Sequence, residues 1–156
     1  GIMGEIDDKI NKLLKGHQVA GLDTMIFIYS MEARKPYIPL LRSIFNYIEG
    51  GFVKGVTSTI TLLEILVKPI KDQNITAIKD YKFLLNNFPN LKMVSIDQSV
   101  AKRGAELRAK YGIRTPDALQ VASAIENQAT IFISNDNKLK KIKEIEIAAL
   151  DEMTVS

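Results

Sequence analysis

Four acidic side chains stand beside apolar runs, where a lone charge is costly. They are Asp23 in VAGLDTMIFIYS, Glu64 in TSTITLLEILV, Asp117 in RTPDALQVASAI and Asp136 in TIFISNDNKL. Carboxylates are seldom buried without a partner, because losing water penalises the ionised form. If the four share one pocket they also repel one another, by roughly 4 kcal/mol for a pair about 4 Å apart at an effective dielectric near 20. Raised pKa values or a bound cation relieve that repulsion. An all-oxygen set suits Mg²⁺ or Mn²⁺, hard ions that keep waters and accept phosphate oxygens. Such an ion acidifies bound water and offsets charge on a phosphoryl group, so the pattern points to metal-dependent phosphodiester chemistry.

Each carboxylate also has a plainer reading. Asp23 before Thr24 can be a turn or a helix cap, Asp117 a charge at a helix N-terminus, and Asp136 in Asn135-Asp136-Asn137 a turn. Glu64 is harder to dismiss, since Ile60, Leu62, Leu63, Ile65, Leu66 and Val67 cover nearly every face of its helix. Their shared register outweighs the plainer readings, and no rival catalytic set competes. Cysteine is absent, which excludes disulfides, thiolate zinc sites and cysteine nucleophiles. The only histidine, His17, lies ahead of the first strand and reads as a surface residue. No Gly-rich phosphate loop follows that strand.

The elements that must position these groups alternate between helix and strand. Ile6, Ile10, Leu13 and Leu14 form one stripe of an amphipathic helix over 5–15, ended by Gly16. Residues 18–22 form a strand leading into Asp23, and Met25 to Met31 is too continuously apolar to assign by period. Pro36 and Pro39 open a helix through about Glu49, Phe52 to Val56 is a strand, and a helix from Thr59 is stopped at Pro69. Asn74 caps a helix to Phe88, Leu91 to Ser95 is a strand, and Asp97 to Tyr111 is a helix with Gly112 past its end. Thr115 caps a helix with Pro116 in its first position, Thr130 to Ser134 is a strand, and Glu144 to Leu150 another.

This order predicts an α/β fold, three layers α/β/α around a central, mostly parallel sheet, preceded by the N-terminal amphipathic helix. Ligands in such sheets bind beyond the C-terminal ends of the strands, where Asp23, Asp117 and Asp136 fall. Glu64, about two turns inside its helix, is long enough to reach the same rim. The 156 residues, 46% hydrophobic and 25% charged, read as a single domain over 1–156, with an extension over 1–16 and a core over 17–150. The net charge of +3 is compatible with a polyanionic partner. No apolar run approaches the roughly 18 residues of a membrane span, and the charged opening segment does not read as a signal peptide, so a cytoplasmic protein is expected.

The succession LDTMIFIY, TSTITLLEIL and TPDALQVASAIENQATIFISND resembles the PIN-domain ribonucleases, most closely their VapC-type toxin branch. The likeness runs from about Val19 to Leu150 and is most specific between Thr115 and Asp136. It implies Mg²⁺ or Mn²⁺ coordinated by Asp23, Glu64, Asp117 and Asp136, with the three aspartates as the main ligands and Glu64 completing the catalytic pocket, and endonucleolytic cleavage of RNA to a 5′-phosphate and a 3′-hydroxyl. Thr24 and Ser134 match small hydroxyl residues beside the metals, and Asn135 a frequent polar neighbour. The resemblance further implies a cognate antitoxin and a homodimer. Two departures stand out: Met25 occupies a position commonly Asn, and the extension before the first strand is unusually long.

Lys102, Arg103, Arg108, Lys110 and Arg114 crowd one helix and its exit, and Lys138, Lys140, Lys141 and Lys143 follow Asp136. Lys102, Arg103, Arg108, Lys110, Arg114 and Lys138 are the candidates for RNA-backbone contacts, against the plainer reading of solvated helix faces. Tyr29, Tyr37, Tyr47 and Phe45 read as core or interface. The competing function is a non-catalytic PIN-like module that binds RNA or protein without cutting, for which Met25 and the extra helix leave room.

Overall fold

The computed structural model describes residues 2–154. In chain order it has α1 (Ile2–Leu14), β1 (Val19–Leu22), α2 (Thr24–Met31), α3 (Ile38–Glu49), β2 (Lys54–Ser58), α4 (Thr59–Lys71) and α5 (Ile75–Asn87). There follow β3 (Leu91–Val94), α6 (Gln98–Tyr111), α7 (Thr115–Glu126), β4 (Ile131–Ser134) and β5 (Glu146–Ala149), with short 3-10 turns at Asn137–Lys141 and Leu150–Glu152. The five strands form one sheet, ordered β3-β2-β1-β4-β5, in which every neighbouring pair is parallel. The expected α/β/α architecture is observed.

Alternation along the strands builds two cores. Ile131 and Ile133 of β4, with Ala20 and Leu22 of β1, join a cluster fed by α1, α2 and α3. Phe132 points to the other side, where Val100 and Leu107 of α6 and Val121 and Ala122 of α7 cover the sheet. The N-terminal extension belongs to the first of these cores. Ile6, Ile10 and Leu14 are buried at helical spacing, while Asp7 accepts from Ser43 Oγ at 2.7 Å and Asn11 Oδ1 accepts from Tyr47 OH at 3.1 Å, both on α3.

Local chemistry sets the element ends. Gly16 and Gly112 have φ of +84° and +66°, the left-handed turns that glycine makes without steric cost. Asn74 and Asp97 cap α5 and α6 by accepting from Ala77 and Val100 N–H. Three expectations need correction. Pro69 sits inside α4 instead of ending it, because only two helical residues follow and Asp72 N–H still reaches Lys68 O at 2.9 Å. Thr115 is the first residue of α7, whose cap is the extended Arg114 without a side-chain bond. The second strand starts at Lys54, since Gly51 at φ +81° and the Phe52 N–H bond to Tyr47 O keep Phe52 in the helix exit.

The segment Met25–Met31, ambiguous by period, lies within helix α2. Asp23 caps it, and its apolar side chains are shared between sheet and helices. The sheet order reverses around β1: the chain steps outward through β2 and β3, then returns to β4 on the opposite side. The C-terminal ends of β1 and β4 therefore border a crevice from which their connections diverge.

Close packing of α7 on β1 depends on Gly21. A Cβ there would lie 2.5 Å from Ala124 Cβ and 2.8 Å from Phe132 Cδ1. Neither atom has room to withdraw in a filled core, so Gly21→Ala is expected to destabilise the fold by about 1–3 kcal/mol. Urea unfolding checks this, and a variant as stable as the parent would show that α7 shifts freely on the sheet.

Candidate functional site

Asp23 continues β1 by one residue, its N–H donating to Ile133 O at 3.0 Å across the junction with β4. Its side chain is 7% exposed and accepts two bonds: Oδ1 from Thr24 N–H at 2.8 Å and Oδ2 from Ser134 Oγ at 2.7 Å. Ser134, the last residue of β4, also accepts from Asp136 N–H at 3.1 Å, so one hydroxyl joins the two strand ends. Asp136 caps the following 3-10 turn by accepting from Lys138 N–H. Asp117 lies in the first turn of α7, with Arg114 Nε 3.9 Å from its Oδ2. Glu64 projects from α4, and Thr24 Oγ1 donates to its Oε1 at 2.7 Å.

All four carboxylates line a single pocket of about 230 Å³, together with Thr24, Met25, Ile28, Tyr29, Arg114, Ser134 and Asn135. A larger cavity of about 440 Å³ lies between α2, α3 and α5, but Phe27, Leu41, Phe45 and Phe88 make its walls mainly apolar. The smaller pocket is the one that gathers the four carboxylates. Burial pushes the Asp23 carboxyl up to about 6; the bonds from Ser134 and Thr24 oppose that rise, while Asp117 and Glu64 add to it. Asp117 is likewise raised, first by burial and then by Asp136 and Glu64, with the Arg114 and Lys138 cations pulling the other way.

Among the described residues, no three His, Cys, Asp or Glu side chains already stand as a metal-holding group. The donor set nonetheless fits a hard cation that keeps part of its water. It is all oxygen, it carries four potential negative charges, and Arg114 and Lys138 are the only cations among the causes acting on Asp23 and Asp117.

Of the other candidates, Thr24 and Ser134 bond the pocket carboxylates directly. Asn135 lines the pocket but turns its amide to Tyr37 OH at 3.2 Å and Tyr29 OH at 3.5 Å. Its Oδ1 accepts from Asp151 N–H. Tyr29, grouped by sequence with core residues, is buried yet lines the pocket and stacks on Tyr37 at 4.6 Å. Arg114 and Lys138 act on the site. Lys102 faces Glu106, Arg103 pairs with Glu126 at 3.1 Å, Lys110 with Glu144 at 3.4 Å, and Arg108 Nε donates to Ile113 O. Lys140, from the second basic run, pairs with Glu152. His17 bonds Thr130 Oγ1, ahead of β4 and at the far end of that strand from Ser134.

One neighbour of the site was not anticipated. Gln120 is 3% exposed and ties α7 to Thr24, Thr61 and Ser58. The signal for it lies in its spacing: a lone amide three residues after Asp117, on the same helical face, in an otherwise apolar or small-residue run.

The sequence model of the PIN domain family matches residues 21–145, which take in the end of β1, all four pocket carboxylates and β4. The chain belongs to the PIN domain family. Solved structures similar to this PIN domain include a toxin-antitoxin complex from Klebsiella pneumoniae at 20% identity and TM-score 0.63, covering 85% of this chain and 97% of that one. VapBC2 from Rickettsia felis bound to a promoter DNA fragment matches at 18% identity and TM-score 0.67, covering 85% and 98%. FitAcB from Neisseria gonorrhoeae matches at 18% and 0.62, with the same coverage. At these identities the likeness is one of fold. No curated protein matches the chain at the sequence level.

The raised Asp23 carboxyl makes the metal-free PIN domain sensitive to pH. Its folded pKa near 6 exceeds the ordinary 3.8, so between those values the folded state binds more protons than the unfolded state. Stability from this group is therefore greatest at low pH and falls as pH rises through about 6. Asp23→Asn is expected to flatten that slope and, without metal, to be more stable than the parent at pH 7, by up to about 3 kcal/mol. Denaturant unfolding at pH 5 and pH 7 measures both; an Asn variant less stable than the parent at both pH values contradicts the assignment.

Proposed function

We propose that this PIN domain is a Mg²⁺- or Mn²⁺-dependent endoribonuclease, acting in the cytoplasm as the toxin of a toxin–antitoxin pair. The observation that carries the reading is the meeting of Asp23, Glu64, Asp117 and Asp136, from four separate chain segments, in one pocket at the C-terminal rim of a parallel sheet. Asp23, Asp117 and Asp136 would hold the ion, with Glu64 completing the set. When bound, such an ion supplies an acidified water and offsets the charge on a phosphodiester.

The chain's own residues do the rest. Ser134 keeps Asp23 and Asp136 in fixed relation, and the Thr24 N–H holds the other Asp23 oxygen. Arg114, beside Asp117, and Lys138, after Asp136, provide positive charge to seat a phosphate backbone at the pocket mouth. In the hydrolysis proposed, a water oxygen joins phosphorus, the bond from phosphorus to the 3′ oxygen breaks, and that oxygen leaves with a proton. The products are a 5′-phosphate and a 3′-hydroxyl. Residues 17–150 constitute the catalytic core, with α1 packed against it.

The fold neighbours that support a protein partner are a toxin–antitoxin complex, VapBC2 and FitAcB. On this chain, Leu63, Val67 and Ile70 form an exposed apolar stripe along α4, continued by Ile75. That stripe suits protein contacts, an antitoxin or a second copy, better than solvent.

Incubating the purified chain with a mixed RNA pool tests the function. Cleavage is expected with Mg²⁺ or Mn²⁺, to stop with chelator, and to drop at least about 100-fold in Asp117→Asn. End mapping should show 5′-phosphates. RNA binding that is unaffected by chelator and yields no products would favour the non-catalytic module, for which Met25 in the pocket wall is the specific argument.

A further inference from the structure

Beneath the pocket lies a buried polar cluster formed by five side chains: Thr24 on α2, Thr57 and Ser58 at the end of β2, Thr61 on α4 and Gln120 on α7. All five are essentially excluded from solvent, and among the described residues no buried side-chain nitrogen or oxygen lacks a partner. The bonds have a definite direction, because a hydroxyl owns one proton and an amide nitrogen two.

Thr57 Oγ1 donates to Leu22 O at 3.0 Å, which spends its proton. Thr61, 2.7 Å from Thr57 Oγ1, must therefore donate to it. Ser58 Oγ accepts from Ile60 N–H and donates to Gln120 Oε1 at 2.7 Å. The two amide protons of Gln120 go to Thr24 Oγ1 at 2.7 Å and Thr61 Oγ1 at 2.8 Å. Thr24, already an acceptor from Gln120, is left with one proton and two acceptors in reach, Glu64 Oε1 at 2.7 Å and Thr61 Oγ1 at 3.2 Å, and the shorter contact, to a carboxylate, takes it. Turning the amide over would make Thr24 and Thr61 donors to Gln120 and leave the 2.7 Å contact between Thr24 and Glu64 without a proton from Thr24. The observed orientation is the one that satisfies every member.

We propose that Gln120 is a positioning residue. Its amide commits the single proton of Thr24 to Glu64, and so fixes where the Glu64 carboxylate stands relative to Asp23 and Asp117. The geometry supports a relay and not merely a filled core. Gln120 shares a helix face with Asp117, and Thr24 N–H bonds Asp23, so one amide links the helices or caps of all three carboxylates. The consequence for metal uptake rests on the function proposed above; the relay itself does not.

The experiment compares the parent chain with Gln120→Met, Thr24→Val, Thr24→Ser and Thr61→Val. Three quantities are read: the ¹³C resonance of the Glu64 side-chain carboxyl in metal-free protein, Mn²⁺ affinity by calorimetry, and melting temperature. The Glu64 resonance is expected to move in Gln120→Met and Thr24→Val and to stay in Thr24→Ser. Thr61→Val removes a hydroxyl that touches Gln120 and Thr24 but not Glu64, so it should lower the melting temperature and move that resonance less than Thr24→Val does. Mn²⁺ binding should weaken about 10–100-fold in Gln120→Met and Thr24→Val. The double variant should bind no worse than the weaker single, as members of one chain couple.

A Glu64 resonance unmoved in Thr24→Val, or moved equally by Thr61→Val, overturns the proposal and reduces the cluster to core packing. Should Gln120→Met not fold, the Thr24 and Thr61 variants decide on the same criteria. If the resonance pattern holds but the parent chain takes up no Mn²⁺, the relay stands and the metal-dependent function fails.

Discussion

Negative charge gathered at the junction of β1 and β4 is the constraint around which this chain is organised. Asp23 is almost fully buried and its carboxyl is displaced to about 6 by desolvation, with Asp117 and Glu64 adding to the strain. A fold built only for stability would replace such a group with an apolar side chain or expose it to water. The molecule instead surrounds it with donors. Ser134 and Thr24 satisfy both oxygens of Asp23, Thr24 also serves Glu64, and Lys138 N–H serves Asp136. These bonds hold the carboxylates in place without neutralising them, which leaves the site dependent on protons or a cation for its charge balance.

The topology explains why residues so distant in sequence can meet. Parallel strands all deliver their C-terminal ends to one edge, and the order reversal around β1 opens a crevice there. Asp23 leaves β1, Asp136 follows β4, and α7 brings Asp117 to the same edge through its N-terminal turn. Glu64 arrives from the second turn of α4, which the Ser58 cap starts directly at the end of β2. Gly21 lets α7 lie close to β1, so a residue with no polar atoms in its side chain contributes to the placement of Asp117.

Much of this was readable in the sequence where local chemistry decides structure. Asn74, Asp97, Gly16 and Gly112 mark helix ends through bonds and backbone angles that depend on the residue itself, and each lies where expected. The four carboxylates were legible because charge beside apolar runs is rare. What was not legible depended on tertiary context. Residues 25–31 are apolar all round, so no period distinguishes helix from strand, and the Asp23 cap together with burial on both sides settles the matter. Pro69 would end an isolated helix, yet near the last turn it forfeits little. Tyr29 looked like core and is core, but one side of it faces the pocket. The basic clusters divide between the site and distant carboxylate partners, a division that spacing along the chain cannot convey.

The amphipathic extension takes its meaning from the same balance. Repulsion in the pocket and burial of Asp23 both work against the folded state, so stability must be supplied elsewhere. Burying Ile6, Ile10 and Leu14 against α3 contributes roughly 1.5–3 kcal/mol per side chain before entropy is counted. That is the same scale as the penalty carried by one buried carboxylate. The extension also bonds α3 through Asp7 and Asn11, on the same side of the sheet as α2, the helix that Asp23 caps. Its place in the core makes it a support for the scaffold that holds the charged pocket, and leaves the exposed stripe on α4 as the surface better suited to a protein partner.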